Sequence, residues 1–243
     1  MNAVVVPAER LLEARARQSL GTSDRAIYET VARAMRLRSA GGETLLDVGC
    51  GVGNLWPFVR DNFSRCIGVD AVRYDELPNE VDFALADLNA PRIPLPDACA
   101  DAVASVETIE HLENPRAFMR ELVRLVKPGG CVVVTTPNQL SLLSLMTLVF
   151  KQRFSAFQDV HYPAHVTALL EIDLRRIASE CGLTEIEVAY THQGRVVLTS
   201  QHYPRTLTRL APRLFSDNLL LVGKKTNLNS MFIAKPKSDE LGK

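Results

Sequence analysis

Leu45-Leu46-Asp47-Val48-Gly49-Cys50-Gly51-Val52-Gly53-Asn54-Leu55 is the stretch that decides the fold. The apolar run 44–48 has the character of a buried parallel strand. Three glycines at alternate positions follow it, and a helix-like segment begins behind them. With no Cβ, such glycines let the backbone turn tightly and approach a ligand closely. A helix start adds unpaired N–H groups and a positive dipole end, which suit an anionic group. The stretch therefore points to a nucleotide-like ligand held at the end of a strand.

The glycine spacing narrows the choice. A dinucleotide fingerprint, G-x-G-x-x-G counted from Gly49, would need its third glycine at position 54, where Asn54 stands. The spacing is instead G-x-G-x-G, preceded by the acid Asp47. This resembles the first motif of the class I S-adenosylmethionine-dependent methyltransferases. The resemblance disfavours a nicotinamide oxidoreductase and implies S-adenosylmethionine as cofactor, with Asp47, Gly49, Gly51 and Gly53 around it.

Bulk properties set the outer bounds. The 243 residues suffice for one α/β domain with additions. With 28 basic and 28 acidic residues the formal net charge is zero, which argues against a strong hold on nucleic acid. The five cysteines are scattered without a C-x-x-C pair and read as reduced. Residues 1–7 lack a basic stretch followed by a long apolar core, so a cytoplasmic location is the expectation.

Outward from the glycines, the strands and helices alternate. Residues 7–20 read as a helix broken by Gly21, and Ser23 or Asp24 can cap a second helix running to about 37–38. Residues 55–62 read as a crossover helix, 66–70 as a second strand, 82–88 as a third strand with its exit, and 101–106 as a fourth. A helix from Pro115 to about 126 is stopped by Lys127-Pro128-Gly129-Gly130, and 131–136 is a fifth strand. A helix over about 169–181 and strands at 185–190 and 218–224 complete the pattern. The expected organisation is N-terminal helices over 1–40, a domain over 41–226 with an acceptor-site insertion at about 139–166, and a flexible tail over 227–243. Periodicity alone gives an open α/β sheet. The resemblance implies the Rossmann-like seven-stranded sheet in the order 3-2-1-4-5-7-6, last strand antiparallel.

Asp70 ends the second strand about 20 residues past the glycines, where a carboxylate can accept hydrogen bonds from both ribose hydroxyls. By resemblance, Asp87 meets the adenine amino group and the backbone of Leu88 a ring nitrogen. The apolar run 140–150 is too short to span a membrane, which takes about 20 residues. It reads as a lid or pocket helix, with peripheral membrane contact as the second reading.

Glu107-Thr108-Ile109-Glu110-His111 lies at the carboxyl end of the fourth strand, where doubly wound sheets bind ligands. Glu107, Glu110 and His111 are spaced i, i+3, i+4, which shares one face of a helical turn. Two carboxylates and an imidazole suit a divalent ion such as magnesium or zinc. The run 105–138 resembles a subgroup holding the quinone-biosynthesis, small-metabolite and glycan O-methyltransferases and the small-RNA 2′-O-methyltransferases. That resemblance implies metal-linked O-methylation through an E-x-x-E-H motif, with His165 as a further ligand and His161 competing for the place. The residues leave a second reading open, in which His111 is a metal-free general base and Glu107 lines the cofactor.

The leading expectation is a small-molecule O-methyltransferase acting on a sugar, phenol or quinone precursor. RNA 2′-O-methylation and a non-catalytic nucleotide-binding regulator are the alternatives.

Overall fold

The computed structural model describes residues 21–38 and 42–227. The helix expected over 7–20 and the tail beyond 227 lie outside the described residues.

Among the described residues the sheet has seven strands in the order β3-β2-β1-β4-β5-β7-β6. They are β1 (Gly42–Val48), β2 (Phe63–Asp70), β3 (Val81–Leu85), β4 (Ala100–Ser105), β5 (Val126–Pro137), β6 (Leu183–Tyr190) and β7 (Asn218–Lys225). The first five run parallel, and β7 is antiparallel to both β5 and β6. This is the expected order and sense.

Alternation along β1 explains the two-layer core. Successive side chains of a strand face opposite sides of the sheet. Leu45 therefore packs with Ile27, Val31 and Met35 of α1 (Arg25–Arg38), while Leu46 packs with Phe118, Met119 and Leu122 of α3 (Pro115–Leu125). Both leucines are fully buried, each worth about 1.5–3 kcal/mol relative to exposure. Asn114 starts α3 by accepting a 3.0 Å hydrogen bond from the Ala117 N–H, with Pro115 in the first turn. α5 (Glu171–Glu180) covers the same face through Leu174 and Ile177.

Several element boundaries differ from expectation, β2 and β6 beginning a few residues early at Phe63 and Leu183 and two others for a clear local reason. The crossover helix α2 is only Trp56–Val59, because the Asn62 N–H turns back to the Val59 carbonyl and buried Phe63 already pairs with Gly42. β5 begins at Val126 rather than after the glycines, since Val126 pairs with Ala100. A short helix, α6 (Arg205–Leu210), lies in the connection between β6 and β7.

Candidate active site

The glycine turn leaves β1 at the sheet's carboxyl edge. Gly49 and Cys50 donate to the Val69 carbonyl at 2.7 and 3.2 Å, which holds the turn against β2. Gly49 has φ +79°, and a Cβ there would stand 2.2 Å from Thr108 Oγ1. Gly51 has φ +51°, and a Cβ there would stand 2.1 Å from the Gly21 carbonyl oxygen. Both positions thus need glycine for conformation and for space. Gly53 closes the turn, its N–H donating to the Cys50 carbonyl at 2.8 Å.

Asp70 sits beside this turn. Its carboxylate accepts from the Gly51 N–H at 2.9 Å and the Ala71 N–H at 2.7 Å. Burial raises its pKa, opposed by those backbone donors. Asp47 lies beneath, 3% exposed, with Oδ1 lacking a hydrogen-bond partner among the described residues. Burial first, and the nearby Asp70 charge second, push its carboxyl up to about 7. Asp87 is exposed and holds the Asn89 N–H at 2.8 Å.

These groups line one cavity of about 400 Å³, within the range of small-molecule sites. Gly49, Asp47, Asp70, Asp87 and Leu88 wall one part. Glu107, Glu110, His111 and His165 wall another. Of the expected cofactor contacts, Gly51 and Gly53 do not line the cavity; they form the turn behind it.

Glu107 has φ +48°, a conformation rare for residues with a side chain and often found where function holds the backbone. Its N–H donates to Thr135 Oγ1 at 2.9 Å, and its Oε2 accepts from Asn218 Nδ2 at 2.7 Å. Oε1 is buried without a hydrogen-bond partner among the described residues. Burial raises its carboxyl to about 7, against the pull of Thr135 and Asn218.

Glu110 and His111 lie on one turn of 3₁₀-helix, Ile109–His111. Glu110 is fully buried, takes one 3.2 Å bond from Thr136 Oγ1, and has an unpartnered Oε1 3.9 Å from His111 Nε2. Burial, then the Glu107 charge, holds its carboxyl well above the usual range. Burial and then His165 lower His111 to about 4, so its imidazole is neutral near pH 7. His165 lies 4.6 Å from His111, ring centre to ring centre. Its Nδ1 is 2.7 Å from the Ala156 carbonyl, a contact that places the proton on Nδ1 and a lone pair on Nε2. Ligand atoms of Glu110, His111 and His165 fall within 4.8 Å of one another. Glu107 stands outside that group, turned toward Asn218. His161 stacks on His165 at 5.3 Å, and its Nδ1 accepts from the Gln158 N–H at 3.2 Å.

The helix expected to form a lid or pocket wall, α4 (Leu142–Lys151), does not line the cavity. Ser144 anchors it through the Ser155 N–H, and Val149 and Phe150 at its far end are exposed. Val160, His161, Ala164 and His165 from the following loop line the cavity instead. Among the described residues no helix is long and apolar enough to cross a membrane.

Some wall residues carried no functional signal in the sequence. Gly21 read only as a helix break, Ser23 or Asp24 as a cap and Thr22 as nothing, yet all four line the cavity. Val52 donates to the Gly21 carbonyl at 3.2 Å, and Ser23 donates to the Tyr28 hydroxyl at 2.9 Å, which fixes this segment over the glycines. Asn218 read only as the start of a strand.

A seven-stranded sheet with an antiparallel last strand, a glycine turn after β1 and an acid at the end of β2 defines the class I S-adenosylmethionine-dependent methyltransferase architecture. The family model for the methyltransferase domain matches residues 17–188, and the chain belongs to that family. It is 30% identical to the malonyl-[acyl-carrier protein] O-methyltransferase of Serratia marcescens over 177 residues, covering 69% of this chain and 60% of that one. It is 32% identical to the ubiquinone biosynthesis O-methyltransferase of Maricaulis maris over 117 residues, covering 44% of this chain and 46% of that one. The chain thus spans less than two thirds of either relative. A SAM-dependent methyltransferase from Archaeoglobus fulgidus shares the fold, with a TM-score of 0.60 at 19% identity over 90% of this chain and 100% of that one. The cofactor of this class fits the site: Gly49, Asp70 and Asp47 line one cavity, and Asp47 Oδ1 is buried with no hydrogen-bond partner among the described residues.

Proposed function

We propose that the chain is an S-adenosylmethionine-dependent O-methyltransferase acting on a small hydroxylated molecule, of the phenol, quinone-precursor or sugar type. One observation carries the reading: Gly49 of the glycine turn and Asp70 share a single cavity with Glu107 and His111. In this reading Asp70 accepts from the ribose hydroxyls, Asp87 and the Leu88 backbone face the adenine, and Glu107 and His111 face the acceptor. Two O-methyltransferases among the relatives support oxygen as the acceptor atom.

When bound, the cofactor supplies a sulfonium methyl that is already a strong electrophile. The protein's part is alignment and proton removal. Glu107 suits the proton: Oε1 is free, Oε2 is fixed by Asn218, and a carboxyl near 7 matches a general base at neutral pH. His111, neutral and edge-on to His165, offers the acceptor hydroxyl a second hydrogen-bond partner.

A divalent ion also fits the residues present. Glu110 Oε1 is a buried, unpartnered oxygen, and two imidazoles lie beside it. Glu110, His111 and His165 would hold the ion, which would lower the pKa of an acceptor hydroxyl. The test is release of S-adenosylhomocysteine from S-adenosylmethionine with a panel of catechols, quinols and sugars. Wild type should turn over at least one acceptor, and Glu107→Gln should slow that reaction at least about a hundredfold. Full activity in the variant removes Glu107 from the reaction.

A further inference from the structure

The active-site cavity does not end at His161 and Asn218. A second cavity of about 440 Å³ shares Thr22, Asp24, Ile27, His161 and Asn218 with it. A third, of about 540 Å³, shares Ala26, Thr191, Gln193 and His202 with the second. The three make one groove running along α1. From Ile27 to Arg33 the helix advances about 9 Å, at 1.5 Å per residue.

Charge along this groove is polarised. Asp24 and Glu107 stand at the active-site end. Arg33, Arg205 and Arg209 stand around the far end. Arg205 and Arg209 are four residues apart on α6, so they share a face, and Arg33 meets them from α1. None of the three has an ion pair with a carboxylate among the described residues. Glu29, which also lines the far cavity, is held by Arg25 at 2.7 Å. Nearer the site, Arg195 is matched by Asp217 at 3.0 Å. Three guanidinium groups around one concavity, with no carboxylate partner among the described residues, are a recognition pattern for phosphoryl oxygens, because each fork can give two parallel hydrogen bonds.

We propose that the Arg33–Arg205–Arg209 cavity holds a phosphoryl group at one end of the methyl acceptor, whose reacting hydroxyl lies beside Glu107 and His111. This inference rests on the methyltransferase reading and narrows it from small hydroxylated molecules to phosphorylated ones. The arginines act as a ruler: they bind the non-reacting end and set which hydroxyl reaches the methyl group. Binding energy from a remote, unreacting group is a general means of positioning the reacting one.

The test uses the full chain and inorganic pyrophosphate as the probe. Pyrophosphate is titrated calorimetrically into wild type and into the triple variant Arg33→Gln/Arg205→Gln/Arg209→Gln. A second triple variant, Arg60→Gln/Arg120→Gln/Arg176→Gln, removes the same charge from exposed positions away from the groove. S-adenosylhomocysteine is titrated into all three proteins. The expected result is pyrophosphate binding at least tenfold weaker in the groove variant and within twofold of wild type in the control variant, with S-adenosylhomocysteine affinity equal in all three. Pyrophosphate that binds wild type and groove variant alike, or binds neither, overturns the phosphoryl cavity. So does citrate binding wild type as tightly as pyrophosphate, because charge alone would then explain the uptake. Loss of S-adenosylhomocysteine binding by wild type would instead refute the methyltransferase reading, so the two failures are told apart.

Discussion

Asn218, the first residue of the last strand, donates a 2.7 Å hydrogen bond from Nδ2 to Oε2 of Glu107, which lies 111 positions earlier at the end of β4. β7 enters the sheet beside β5, so the antiparallel strand brings its first side chain to the carboxyl edge of the sheet, where Glu107 lies. This bond fixes one carboxylate oxygen and leaves the other buried with no hydrogen-bond partner among the described residues. Asn218→Ala should slow methyl transfer by about ten- to hundredfold, the worth of a hydrogen bond to a charged group. S-adenosylmethionine affinity should change less than threefold. Steady-state rates set beside a binding titration separate the two, and an equal loss in both would make Asn218 a cofactor residue instead.

Gly51 meets the Gly21 backbone too closely for any side chain. Gly51→Ala should cost about 1–3 kcal/mol of stability from backbone strain alone. The same change pushes the 21–24 segment off the turn, so S-adenosylmethionine should bind at least about tenfold more weakly. Thermal unfolding and calorimetry read the two effects. Retained affinity would mean that this segment plays no part in closing the site.

Asp70 accepts two backbone hydrogen bonds, so Asp70→Ala would disturb the turn as well as the ligand. Asp70→Asn is the sharper probe. It keeps the shape but replaces one accepting oxygen with a donor, and S-adenosylmethionine affinity should fall by about tenfold or more. Unchanged affinity would remove Asp70 from the ribose contact.

Asp47 makes stability depend on pH. Its folded-state pKa is raised to about 7 from 3.8, so the folded chain holds a proton that the unfolded chain releases between those values. This contribution is fully present below about pH 4 and is lost as pH rises toward 7. At 1.36 kcal/mol per pKa unit it amounts to at most about 4 kcal/mol. Asp47→Asn does not titrate, so its stability relative to wild type should rise between pH 4 and pH 8. Urea unfolding at a series of pH values measures the difference. A difference that stays flat across that range would place Asp47 outside the buried, uncharged state.

Glu110, His111 and His165 cluster tightly enough to share one ion. Zinc or magnesium titrated into wild type should bind one equivalent, and Glu110→Gln or His165→Ala should weaken it by about ten- to hundredfold. Glu107→Gln should leave metal affinity within a few-fold, because Asn218 turns that carboxylate away. Metal binding untouched by Glu110→Gln would move the ion elsewhere.

The strands were legible because the local signals agreed with the global order. The run 44–48 was apolar on both faces, and a parallel central strand buries both. Pro115 after Asn114 set the start of α3 to the residue. The crossover helix was over-read because Leu55 to Asn62 has helical composition, whereas pairing of Phe63 with Gly42 cuts the connection short. Glu107, Glu110 and His111 stood out by spacing, yet the backbone there is one 3₁₀ turn after a left-handed residue, so Glu107 leaves the shared face. Gly21–Asp24 and Asn218 could not be found from local pattern at all. Their place depends on contacts with Gly51 and Glu107 far along the chain.

The most direct measurement is calorimetric titration of S-adenosylmethionine and S-adenosylhomocysteine into the full chain, with Asp70→Asn alongside. Both ligands should bind wild type at one equivalent, and the variant should bind each about tenfold or more weakly. Absence of binding by wild type would contradict the account at its centre, because the glycine turn and its acid would then hold no such cofactor.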